Sequence, residues 1–71
     1  MSPLRAFQLA LACEEKAYRF YDEAINHVKD PAVNKLFAEL REEETEHVRL
    51  VKDAMEALPP GSDKDLEDVD D

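Results

Sequence analysis

Asp30-Pro31, set between two long runs of helical periodicity, is the feature that most restricts how this chain can fold. Proline fixes its own φ, lacks an N–H and pushes the residue before it out of the helical region, so a helix can start at Pro31 but none can pass through it. The aspartate ahead of it is a good N-cap, because its side-chain oxygen can accept from the orphan amides of the first turn. Ser2-Pro3 repeats the device at the start of the chain, and Pro59-Pro60-Gly61 ends the second run. Helices are predicted over roughly residues 3 to 29 and 31 to 58. With so short a turn between them they must lie antiparallel, so the expected fold class is all-α, an antiparallel two-helix hairpin.

Each helix carries an apolar seam at alternating spacings of three and four. On the first it runs Leu4, Phe7, Leu11, Glu14, Tyr18, Tyr21, Ile25 and Val28; on the second, Val33, Phe37, Leu40, Glu44, His47, Val51, Ala54 and Leu58. Leu9, Phe20, Leu36, Val48 and Leu50 widen these stripes enough to face more than one neighbouring helix. A chain of 71 residues is also below the size at which one core comfortably outweighs the conformational entropy of ordering it. The hairpin is therefore expected to dimerise into a four-helix bundle.

Glu14, Glu44 and His47 are the polar interruptions of the two seams, and they fall at one height. At about 1.5 Å per residue all three lie roughly 21 to 26 Å from the turn. Carboxylates enclosed without partners cost several kcal/mol each and repel one another, so the cluster needs a cation or a proton. Glu44-x-x-His47 is an i, i+3 pair whose carboxylate and imidazole can converge on one ion. Three donors are too few for a complete site, but two hairpins supply four carboxylates and two imidazoles, enough for two ions. The alternative for the trio is a buried hydrogen-bonded layer that fixes register. The oxygen-rich donor set suits iron or manganese better than a closed structural zinc site.

One Glu from each of two helices and Glu-x-x-His from each of the other two is also the inventory of di-iron carboxylate bundles. "CEEKAYRFYDEA" and "DPAVNKLFAELREEETEHVRLV" resemble the first and second helices of the ferritin-like superfamily, specifically the rubrerythrin-type di-iron domain and its half-size members, which include encapsulated ferritins. The resemblance covers about residues 5 to 56 and implies Glu14 and His47 as terminal ligands, with Glu44 bridging two irons. Glu15 is the rival to Glu14, which is preferred because it lies on the seam with Ala17 three and Tyr21 seven residues on. The implied cofactor is iron, two Fe per dimer, with Mn or Zn as substitutes. The implied activity is oxidation of Fe(II) with O2 or peroxide, a ferroxidase serving iron handling or storage.

Only half of a full-size bundle is present, so the complete site would form between subunits of a homodimer or of a larger assembly built from it. No rubredoxin-like cysteine pairs occur. Nor does the C-terminus resemble a typical encapsulin-targeting peptide, which leaves residence in an encapsulin shell without support. A reading from another class is a metal-free helical adaptor; a third is iron buffering without turnover.

Other residues invite smaller roles. Tyr21 could hydrogen-bond a ligand or pass an electron to oxidised iron and is counted with Glu14, Glu44 and His47 as a candidate catalytic residue; Tyr18 is by default a core aromatic. Glu43 could orient the His47 imidazole, although it and Glu46 fit a solvated face. His27 suits the end of the first helix, and Cys13 suits a small packed thiol. Eighteen acidic against nine basic residues give a charge of −9, which favours cations and disfavours nucleic acid and anionic membranes. With one cysteine and no long apolar run, a cytoplasmic location is the default. Residues 1–58 are thus assigned to the hairpin and 59–71 to an acidic, disordered tail.

Overall fold

The computed structural model describes residues 1–65. Among these the chain is all helix and turn: α1 spans Pro3–Ile25 and α2 spans Pro31–Glu56, packed against each other as an antiparallel hairpin. Both starts are built as the sequence dictates. Ser2 Oγ accepts from the amide of Arg5 at 3.0 Å, and Asp30 Oδ1 accepts from Ala32 and Val33 at 2.9 and 3.1 Å. A proline occupies the first position of each helix.

Both helices stop earlier than periodicity predicts, α1 at Ile25 rather than near 29 and α2 at Glu56 rather than 58. The first stop has two causes. Asp30 must be extended ahead of Pro31 and is so, with φ −69° and ψ 121°. The side chain of Asn34 then reaches back from α2 and donates to the carbonyls of Ile25 at 2.7 Å and Val28 at 3.2 Å, taking up acceptors that a continuing helix would have used. The second stop reflects Pro59, which disfavours helical geometry at Leu58. His27 and Val28 consequently lie beyond α1, and His27 sits exposed beside Glu23 at 3.4 Å.

Of the segment expected to be an acidic tail, residues 66–71 lie outside the described part. Residues 59–65 turn back along the start of α1: Gly61 takes a positive φ of 88°, and the amide of Leu4 donates to the carbonyl of Ser62 at 2.9 Å. The Met1 ammonium pairs with Asp65 at 2.6 Å.

Two helices side by side give a body of 56 × 20 × 13 Å, one helix deep. Nothing so thin can enclose a side chain from every direction, and among the described residues no apolar side chain is fully buried. The seam residues Phe7, Leu11, Tyr21, Ile25, Phe37, Leu40 and Val51 are half-buried between the helices. Phe20, Leu36 and Leu50 are more than half exposed. Arg41 of α2 pairs with Asp22 of α1 at 2.7 Å.

Asn34→Ala should lower stability by about 1 to 2 kcal/mol, because two carbonyls lose their donor. Urea denaturation at fixed protein concentration reads this directly; an unchanged midpoint would mean that water replaces the amide at no cost.

Candidate metal centre

The antiparallel register brings Glu14 of α1 opposite Glu44 and His47 of α2. His47 Nδ1 lies 3.4 Å from Glu14 Oε1 and 3.4 Å from Glu44 Oε1. One donor atom from each of the three residues lies within 4.8 Å of the others, the only such group of His, Cys, Asp or Glu among the described residues. Exposure increases across the trio, with side chains 14% accessible at Glu44, 30% at Glu14 and 48% at His47. The site is therefore closed at its floor by Glu44 and open at the rim where His47 stands.

The electrostatics are those of a site short of positive charge. Glu44 is held above the usual 4.5 first by Glu14, with which it would share a proton, and then by loss of solvent, and His47 only partly offsets this. His47 loses some solvation, which favours the neutral ring, but the two carboxylates outweigh that and raise it above 6.5. Glu44 Oε1 is shut away from solvent and has no hydrogen bond partner. A carboxylate oxygen so enclosed, with only the His47 imidazole at 3.4 Å beside it, is one that a cation would satisfy. Two carboxylates and an imidazole that converge in this way fit a transition metal such as iron.

The other residues singled out in the sequence fall elsewhere. Glu15 turns to the opposite flank, where it lines a shallow groove of about 430 Å³ with Tyr18, Arg19, Thr45 and Val48, and it does not join the trio. Tyr21 packs its ring against Phe20 at 5.4 Å and Phe37 at 5.9 Å between centroids, and it makes no hydrogen bond to the trio. Glu46 is engaged by Arg49, which also holds Asp53 at 2.8 Å, and this pairing with Arg49 keeps the Glu46 carboxyl below its usual range. Glu43 is exposed and does not contact the imidazole, and Cys13, expected to be packed, is exposed on the hairpin.

A family model for rubrerythrin matches residues 6–70, nearly the whole chain and all of the trio. The chain belongs to the rubrerythrin family. It is thus a ferritin-like protein, and membership implies iron binding, for which Glu14, Glu44 and His47 are the group able to hold a metal. Comparison with curated proteins and with solved structures finds no match to this rubrerythrin-family chain. None of its helices among the described residues is long and apolar enough to cross a membrane.

The raised Glu44 carboxyl gives a signed prediction for the metal-free protein. A carboxyl that holds its proton more tightly when folded contributes stability below 4.5, and that contribution is lost as pH rises through the higher folded value. Glu44→Gln, which cannot ionise, should therefore gain thermal stability relative to the wild type as pH is raised from 4.5 to neutrality without metal. Parallel melting curves across that range would contradict the assignment.

Proposed function

We propose that two hairpins associate about a two-fold axis crossing them at the level of the trio, and that the resulting four-helix bundle binds two Fe(II) and oxidises them with O2 or peroxide. The convergence of the trio carries this reading: one donor atom each from Glu14, Glu44 and His47 lies within 4.8 Å of the others, and Glu44 Oε1 is shut from solvent with no hydrogen bond, only the His47 imidazole beside it. Family membership supplies the metal. A single hairpin offers three donor groups, and a second supplies the complement needed for two ions.

In this reading Glu14 and His47 would hold the iron as terminal donors and Glu44 would be the carboxylate shared by two ions. His47 binds through Nδ1, the nitrogen that faces both carboxylates, and must lose any proton there as the metal enters. Iron held there would supply the redox chemistry, the two electrons lost by two Fe(II) and two protons from solvent together accounting for reduction of O2 to hydrogen peroxide, or of peroxide to water. The protein's part is to neutralise charge and fix geometry, with the partner hairpin excluding bulk water. Tyr21, seven residues beyond Glu14 and so about 10 Å along the axis, is assigned an electron-relay role rather than a place among the ligands. Mn or Zn are assigned as substitutes that the same donors would accept.

Anaerobic titration should give about two Fe(II) per dimer and a higher melting temperature on loading. Exposure to O2 should then oxidise the iron faster than in buffer alone. Glu44→Ala and His47→Ala should lose the metal-dependent stabilisation and fall to the buffer rate, whereas Tyr21→Phe should keep the stoichiometry and oxidise more slowly. Retention of iron-dependent stabilisation in Glu44→Ala would exclude this ligand set.

A further inference from the structure

The apolar surface of α1 is wider than its contact with α2 requires. Measured around the helix from Glu14 at about 100° per residue, Leu9, Cys13 and Phe20 stand about 100 to 140° to one side. His47 and Leu50 of α2 lie to the same rotational side of Glu44, and because the helices are antiparallel, this sense leads to the same face of the hairpin. Leu9 is 39% exposed and Phe20 61%. Lys16 is the one charged residue on that edge of α1, whereas the matching edge of α2 carries Glu39, Glu43 and Glu46. Bringing two such α2 edges close would oppose like charges, so the α1 edge is the better place for tight contact.

The spacing along this edge is self-complementary. Leu9 lies five residues before Glu14 and Phe20 six residues after it, about 8 and 9 Å along the axis in opposite directions. Between them the positions nearest Glu14 are small: Ala10, Cys13 and Ala17. A two-fold axis through the level of Glu14, perpendicular to the helices and lying between two hairpins, sets α1 against α1 antiparallel. It then carries Phe20 of each copy to the height of Leu9 on the other. Ala6, Leu9, Ala10 and Cys13 stand at i, i+3, i+4 and i+7, the four corners of a hole able to take a large knob. The small corners leave room for a phenyl ring.

We infer that the α1 edge is the docking surface for a second copy of this chain, with Phe20 of each copy seated in the Ala6–Leu9–Ala10–Cys13 hole of the other. The inference rests on the two-hairpin reading of the metal centre and adds which helix meets which, and through which residue. The pairing is isologous, since the same patch serves both partners. The small residues beside Glu14 let the two α1 helices approach closely, so the two trios come within reach of shared ions. Phe20 is then a specificity residue for assembly and takes no part in binding metal.

Cross-linking without iron tests the pairing separately from the metal chemistry. A Leu9→Cys/Phe20→Cys chain in a Cys13→Ser background should form covalent dimers under mild oxidation or with a short bismaleimide, and neither single variant should do so. The unaltered chain should cross-link through Cys13, which the axis places near its symmetry mate. Phe20→Ala should raise the dimer dissociation constant at least tenfold in sedimentation equilibrium. Cross-linking of the Phe20→Cys single variant to itself, or of Phe20→Cys with Leu36→Cys but not with Leu9→Cys, would mean that the hairpins pair turn to turn and would overturn the inference. Iron binding with no Leu9–Phe20 cross-link would reject this pairing and leave the metal centre standing; the cross-link without iron binding would do the reverse.

Discussion

Two antiparallel helices cannot enclose anything between them and a third body, and nearly every property of this hairpin follows from that limit. A helix packed on one neighbour buries a narrow stripe and leaves the rest wet. Here the stripe continues well past the seam, so Phe20, Leu36 and Leu50 face solvent and no apolar side chain is fully buried among the described residues. The hydrophobic driving force for folding is left incomplete within one chain. The polar contacts that tie the two helices together are the Asn34 clamp on the end of α1, the Arg41–Asp22 pair and the Glu14–His47 pair.

The same limit shapes the metal centre. Glu44 lies deepest, Glu14 next, and His47 opens onto the uncovered face. Crowding two carboxyls beside one imidazole raises the proton affinity of Glu44 and leaves one of its oxygens without a hydrogen bond. Such a group is unfavourable in an empty protein and favourable around a cation. Within the rubrerythrin family, to which the residue 6–70 match assigns the chain, iron is that cation. Crowded charge and exposed apolar surface thus lie on one face, and in the proposed dimer a second hairpin around metal would relieve both.

Much of the fold was legible because its punctuation is local. Ser2-Pro3 and Asp30-Pro31 decide where helices begin through contacts no more than three residues away, and both starts are found where expected. Helix ends were less legible. Periodicity carried α1 to residue 29, but Asn34, on the other helix, removes the acceptors that would have continued it. The groove that takes up Glu15, the aromatic contacts of Tyr21 with Phe20 and Phe37, and the return of Ser62 to Leu4 likewise depend on which residues the packing brings together.

The sequence by itself determined two helices, their antiparallel sense and the common height of Glu14, Glu44 and His47, because rise per residue and proline sterics are fixed by covalent geometry. It also determined that the apolar stripe exceeds what two helices can bury, since composition and period do not depend on packing. The seam register already favoured Glu14 over Glu15; only the tertiary structure decided that Glu44 is the most enclosed of the three, with an oxygen that makes no hydrogen bond, and that His47 stands at the open rim. Those outcomes depend on the rotation of each helix about its own axis. That rotation is set by the sum of many side-chain contacts across the interface, which no local stretch of sequence contains.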